Sequence, residues 1–234
     1  DGKTDEKTGP LLEPILKPLW HAYAVMKRGR DRRQPLELDM PERKIILRED
    51  GTVDRVHVPE RLDAHKLIEE MMIQANVSAA ETLEKKRQAL IYRIHDAPTL
   101  AKQEVLREFL ATLGIPMAKG GQMRSNSFNG ILAKAQDTPH QIMVNEMVLR
   151  SQSQAIYSPD NIGHFGLNLM KYAHFTSPIR RYPDLLLHRS IKHALLSGDP
   201  DGYRYTGKEM SALALHCSAM ERRADEVERE VDER

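Results

Sequence analysis

Between Asp63 and Lys86, apolar residues recur at spacings of three and four: Ala64, Leu67, Ile68, Met71, Met72, Ala75, Ala79 and Leu83. Sustained over about six turns, that is the period of an α-helix with one buried face. Such a stripe needs other elements to cover it, because helices are stabilised mainly by packing. Met71, Met72 and Ile73 read as ordinary packing residues within it. With 40% of 234 residues hydrophobic, the chain can supply a core. No apolar run approaches the roughly 20 residues of a spanning helix, and mean hydropathy is −0.55, so no membrane association is expected. The single Cys217 excludes an internal disulfide, which argues for a reducing cytoplasm over a secreted scaffold. Thirty-five Lys and Arg against 34 Asp and Glu exclude a generally basic nucleic-acid binder but leave room for local phosphate-binding patches.

The rest of the chain reads as α+β and helix-rich. Residues Asp1–Gly9 are polar and read as a linker or frayed end, with the folded unit spanning Pro10–Arg234. The start at Asp1 rather than Met suggests a processed, trimmed or partial chain. From Pro14, the spacing of Ile15, Leu19, Tyr23 and Met26 predicts a helix ending in the basic run Lys27–Arg33. Arg43–Leu47 and Val53–Val58 read as strands joined by the turn signal Asp50–Gly51. Ala89–His95 is strand-like. Pro98 opens a helix over Leu100–Leu113, stopped by Gly114. Gly120–Gly130 reads as a flexible connection. Further helices are expected over Pro139–Ser153, carrying Ile142, Met143, Met147 and Leu149, over Pro178–Leu196, and over Ser211–Arg234.

Several familiar patterns fail. Gly2–Lys3–Thr4 lacks the upstream glycine and strand of a phosphate loop. The ten histidines form no zinc spacing, no nucleophile elbow is present, and Cys217 reads as packing. The stretch Thr176–Ser177–Pro178–Ile179–Arg180–Arg181–Tyr182–Pro183–Asp184 stands apart. If Thr176 or Ser177 caps a helix with Pro178 in its first turn, Arg180 and Arg181 oppose the helix dipole. A negative group must then compensate them. A bound phosphate and an internal ion pair to Asp184 or Asp160 both satisfy that requirement.

The run His174–Arg189 closely resembles the signature of the RNB family of exoribonucleases, the ribonuclease II and ribonuclease R enzymes. Ala64–Asn76 is similar to the family's Glu-Glu helix, and Tyr92–Pro98 to its next motif. Leu149–Tyr157 and Glu221–Glu226 also fit, in the right order. The resemblance covers nearly all the chain after Pro10 and is nearer to ribonuclease R. It implies a portion of an RNB catalytic domain, a small β-barrel surrounded by helices, expected here to be incomplete.

The resemblance further implies processive 3′-to-5′ hydrolysis of single-stranded RNA to nucleoside 5′-monophosphates. It matches Arg180 to the family's catalytic arginine, with Arg181, Ser177, Thr176 and His174 as RNA contacts. Either Glu69 or Glu70 would lie near the last nucleotide. The aspartate cluster that holds magnesium in the family has no match here, so metal ligands are expected upstream, in the remainder of the same polypeptide, together with OB-fold RNA-binding domains. No metal ligand is assigned within this chain, which alone is expected to be inactive. A catalytically dead RNB-like RNA-binding or scaffold module is the alternative.

Overall fold

The computed structural model describes residues 4–38, 40, 44–121, 123–197 and 199–232. The expected linker start and phosphate-loop tail at Asp1–Lys3, the strand start at Arg43 and the helix end at Glu233–Arg234 lie outside them. The chain enters through α1 (Gly9–Leu11), a π-helical turn (Leu12–Leu16) and α2 (Lys17–Arg33). Pro14 and Pro18 each remove a backbone donor there, which loosens the regular ladder. The basic run falls in the last turns of α2, where cations suit the dipole, and a left-handed Gln34 ends the helix.

Strands β1 (Lys44–Leu47) and β2 (Val53–His57) pair as the expected hairpin, Ile45 opposite Val56. Gly51 takes the left-handed conformation of the turn (φ +81°), and Asp50 accepts hydrogen bonds from the Thr52 amide and hydroxyl. Both faces of this hairpin are exposed. Strand β3 (Tyr92–Ile94) pairs with β4 (Ile156–Ser158) in a second antiparallel ribbon, Arg93 opposite Tyr157. Among the described residues the strands form these two separate pairs and no closed barrel. Helix-rich α+β is the architecture.

Helix α3 (Asp63–Lys85) is the long element anticipated from periodicity, but its buried face is rotated. It carries Leu67, Glu70, Ile73, Asn76, Ala79, Ala80 and Leu83, while Ala64 and Ile68 face outward. The rotation is possible because α3 packs on α2, which brings Arg30 to Glu70, and beside the segment leading into α7 (Tyr182–Leu196), which brings Tyr172 and the Phe175 amide to Asn76. A core of Ala79, Ala80, Leu83, Tyr92, Ile94, Ala173, Leu187 and Ala194 joins α3, β3 and α7.

A second core joins α4 (Leu100–Thr112), α5 (Ser125–Ala135) and α6 (Gln141–Ser151) through Leu106, Leu110, Phe128, Ile131, Val144 and Val148. Thr99 caps α4, and Gly114 (φ +69°) ends it, with the Ile115 amide reaching back to the Leu110 carbonyl at 3.0 Å. Helix α5 replaces the flexible connection expected up to Gly130. Its Ser- and Asn-rich sequence has weak helix propensity, so burial of Phe128, Ile131, Leu132 and Ala135 holds it. In α6 the inward residues are Val144, Asn145, Val148 and Ser151. Ile142, Met143 and Leu149 of the same helix are exposed.

Helix α8 (Gly207–Asp232) packs on β4 and α7. Glu221 on α8 forms a bidentate pair with Arg93 at 2.6 and 3.0 Å. Cys217 packs half-buried beside the Tyr157 cluster, and burial pushes its thiol pKa up. Among the described residues no helix is long and apolar enough to cross a membrane.

Candidate active site

The segment from Tyr172 to Arg181 organises the site. Tyr172 runs beside β3, its carbonyl accepting from the Arg93 amide at 2.9 Å. Phe175 is held from two sides: its amide donates to Asn76 Oδ1 on α3 at 2.9 Å, and its carbonyl faces His188 Nε2 on α7 at 2.9 Å. The Phe175 and His188 rings stack at 4.3 Å. Asn76 Nδ2 also donates to the Tyr172 hydroxyl at 3.0 Å.

Pro178 does not begin the following helix. Pro178–Arg180 form a turn, with the Arg180 and Arg181 amides directed at the Ser177 carbonyl, and α7 starts at Tyr182. A helix begun at Pro178 would place Pro183 in its interior, where the ring meets the carbonyl four residues back. Started at Tyr182, the helix has Pro183 in its first turn, where a missing N–H costs nothing.

The negative group that compensates Arg181 is internal. Asp184, fully buried, accepts from the Ser177 amide at 2.8 Å and from Arg181 Nε and Nη2 at 2.9 and 2.8 Å. The paired bonds form the planar fork that only arginine offers. For Arg181, the ion pair to Asp184 offered by the sequence is formed. The Ser177 amide and most of the Arg181 fork are thus engaged within the protein. Arg180 differs: it is exposed, and among the described residues its guanidinium has no carboxylate partner.

The two glutamates separate as well. Glu70 is buried, its Oε1 accepting from Arg30 Nη1 at 2.7 Å and its Oε2 without a partner among the described residues. Glu69 is part-exposed, pairs with Arg61, and lies 3.5 Å from Arg30 Nη1. It stands between two cavities. One, of about 600 Å³, is lined by Lys27, Arg30, Arg61, Lys66, Glu69 and Glu70 among others. The second is a slot of about 470 Å³ whose walls include Ile68, Glu69, Met72, Asn76, Thr176 and Arg181. Thr176 Oγ1 is buried there without a partner among the described residues.

His174 lies behind the slot, its Nδ1 2.9 Å from the Tyr157 hydroxyl. Burial first, then the nearby Arg181 and Arg93 charges, push its pKa down to about 3. Burial does the same to His164, also to about 3. Both rings are therefore neutral near pH 7. Burial pushes Tyr157 up to about 12.

The structure thus gathers Glu69, Thr176 and Arg181 at one slot, with Arg180 on the adjoining turn, and sets Glu70 and His174 behind. Asn76 and Tyr172 line the same slot although periodicity alone does not mark them. The available signal is a polar residue at position 76 in phase with Ile73, Ala79 and Ala80 on the buried face. Among the described residues no three His, Cys, Asp or Glu side chains cluster to hold a metal ion.

Residues 1–197 match the RNB domain family. Ribonuclease R of Escherichia coli is 42% identical over 97% of this chain, a match covering 29% of that protein. Mycoplasma genitalium RNase R in complex with ribose-methylated single-stranded RNA superposes with a TM-score of 0.85 at 26% identity, covering 98% of this chain and 36% of that one. The same enzyme in complex with double-stranded RNA gives a TM-score of 0.82 at 27% identity, covering 93% of this chain and 39% of that one. These likenesses define the class as an RNB-type ribonuclease fold. The chain belongs to the RNB family, and it spans less than a third of the length of the Escherichia coli relative.

Proposed function

We propose that this chain forms the arginine-bearing wall of a 3′-to-5′ exoribonuclease that processively hydrolyses single-stranded RNA to nucleoside 5′-monophosphates. The observation that carries the reading is Arg180. It stands exposed and without a carboxylate partner, on a turn fixed by Asp184 and Phe175 beside a slot. A guanidinium pre-set in this way can hold two phosphoryl oxygens and stabilise charge that develops on them.

The slot suits the rest of a nucleotide. Ile68 and Met72 offer an apolar wall to a base, and Thr176 adds a polar lining residue beside the RNA backbone or ribose. Glu69, accessible and between the two cavities, is the better placed of the two glutamates to meet a ribose hydroxyl. Glu70 acts through Arg30. Arg181, Ser177 and His174 support the site from behind, Arg181 keeping Nη1 for RNA. Its ribonuclease R relative, and the Mycoplasma genitalium RNase R complexes with single- and double-stranded RNA, agree with this substrate. On this reading magnesium is held by carboxylates in the longer polypeptide, OB-fold domains of that polypeptide guide the RNA, and the enzyme works in the cytoplasm.

The test uses the full-length protein and end-labelled single-stranded poly(A). With magnesium it is expected to release mononucleotides stepwise from the 3′ end, and a chelator is expected to stop the release. The present chain alone is expected to release none. RNA binding by the full-length protein without release would overturn the enzymatic reading in favour of a catalytically dead RNA-binding module.

A further inference from the structure

Four elements meet at the segment Tyr172–Ser177. Strand β3 holds the Tyr172 carbonyl, α7 holds Phe175 and Ser177, and the turn beyond carries Arg180. On the α3 side, the side-chain hydrogen bonds to this segment come from one residue. Asn76 is 3% exposed and sits two turns along α3 from Glu69. Its amide uses a donor and an acceptor at once, to the Tyr172 hydroxyl at 3.0 Å and from the Phe175 amide at 2.9 Å.

A carboxamide is the short side chain that offers both at fixed geometry in one plane. Leucine of similar size would strand two buried polar groups, and glutamine would overfill the site by a methylene. Asn76 also lines the slot with Glu69, Thr176 and Arg181, so its position registers one wall of the slot against the other.

We propose that Asn76 is a positioning residue that ties the segment leading into the arginine turn to α3, holding Arg180 in a fixed position relative to Glu69. The proposal rests on the reading of Arg180 as the group that meets the scissile phosphate. Asn76 itself donates nothing to RNA. Its loss lets the Phe175 segment, and Arg180 with it, drift from the reacting phosphate, and a shift of about 1 Å can cost on the order of 100-fold in rate.

The experiment is a double-mutant cycle in the full-length protein. Asn76→Ala, Arg180→Lys and the pair are compared by single-turnover cleavage of single-stranded poly(A) at saturation, with poly(A) binding measured separately in chelator. Tyr172→Phe, which removes one of the two Asn76 bonds, is the milder companion, and the thermal midpoint of each variant is recorded. Asn76→Ala is expected to lower saturated turnover about 30-fold, within the range for misplaced groups, with the dissociation constant changed less than about threefold and the midpoint above assay temperature. Tyr172→Phe is expected to lose a smaller factor in the same parameter. In the Arg180→Lys background the Asn76 effect should largely vanish, because a displaced group that no longer acts costs nothing further.

A multiplicative double mutant, with the full Asn76 loss persisting beside Arg180→Lys, would overturn the positioning role while leaving the Arg180 reading intact. Near-normal turnover in Arg180→Lys would instead overturn that reading and this inference with it. If Asn76→Ala fails to fold, Tyr172→Phe carries the cycle, and a Tyr172→Phe loss fully multiplicative with Arg180→Lys counts against the proposal.

Discussion

The neighbouring arginines in the turn before α7 have opposite fates, and the difference sets what each substitution should do. Arg180→Lys in the full-length protein keeps the charge and loses the fork. It is expected to lower saturated turnover about 100-fold, as for removal of one oxyanion-type donor, with a smaller change in RNA binding. Single-turnover kinetics with separate binding in chelator reads the two effects. Arg181→Lys acts through Asp184: one paired bond to a fully buried carboxylate is lost, so its main cost should appear in thermal stability.

The neutral histidines give a pH dependence. His164 and His174 have folded pKa values of about 3 against 6.5 for the ring in an unfolded chain. Between those values the unfolded state binds protons that the folded state refuses, so stability falls as pH drops below 6.5. Each ring should cost about 2 kcal/mol by pH 5. Thermal midpoints from pH 7 to 5 should fall steeply, and His174→Gln should flatten the curve. A pH-independent midpoint would contradict the neutral assignment. Arg180 was legible in the sequence through its motif, and Asp184 was one of two candidate partners for the arginines. Asn76 was legible only as a polar residue in phase with Ile73; its part in the site comes from what it meets across 96 residues of chain.

At the scale of elements, periodicity placed helices well and their faces poorly. The long α3 stands within a residue of its expected ends, yet Glu70 and Asn76 lie inward and Ile68 outward. Apolar pattern alone cannot anticipate this, because the partners Arg30, Tyr172 and the Phe175 amide come from distant elements. Turn chemistry was readable where one residue type decides it, as at Gly51 and Gly114. The start of α7 went astray through two prolines competing for one role.

Helix α5 was missed because its stability is tertiary. Asn129 shows how: its amide donates to the Pro35 carbonyl at 2.7 Å and accepts from the Glu37 amide at 2.9 Å, tying the exit of α2 to α5. Asn129→Ala leaves that backbone without its partners and should cost about 1–3 kcal/mol. Hydrogen exchange at the Glu37 amide should accelerate more than at the α5 core, whereas uniform change across the helix would argue against a local tie.

The whole molecule has more surface than its mass warrants. A compact monomer of 26.8 kDa is expected to expose about 10,800 Å², whereas this chain exposes 15,824 Å². Large apolar side chains are exposed on elements with few neighbours. Ile45, Leu47, Val53 and Val56 are each at least half exposed on the β1–β2 hairpin, which packs on no other element to any extent. A two-stranded hairpin is marginal in water without a covering layer, and its unpaired edges can accept further strands. Leu215, Val227 and Val231 line the outer side of α8 in the same way.

Surface of this kind is buried in folded assemblies, either against the rest of a longer polypeptide or against another copy. The isolated chain should therefore bind a hydrophobic reporter dye strongly and elute in size exclusion at a mass that rises with concentration. The full-length protein should do neither. Placing charge on the hairpin, with Ile45→Lys and Val56→Glu together, should reduce self-association of the isolated chain and leave the cores around α3 and α5 folded, since neither residue contributes to them. A chain that stays monomeric at high concentration and ignores the dye would mean that the hairpin and α8 close over this surface in solution.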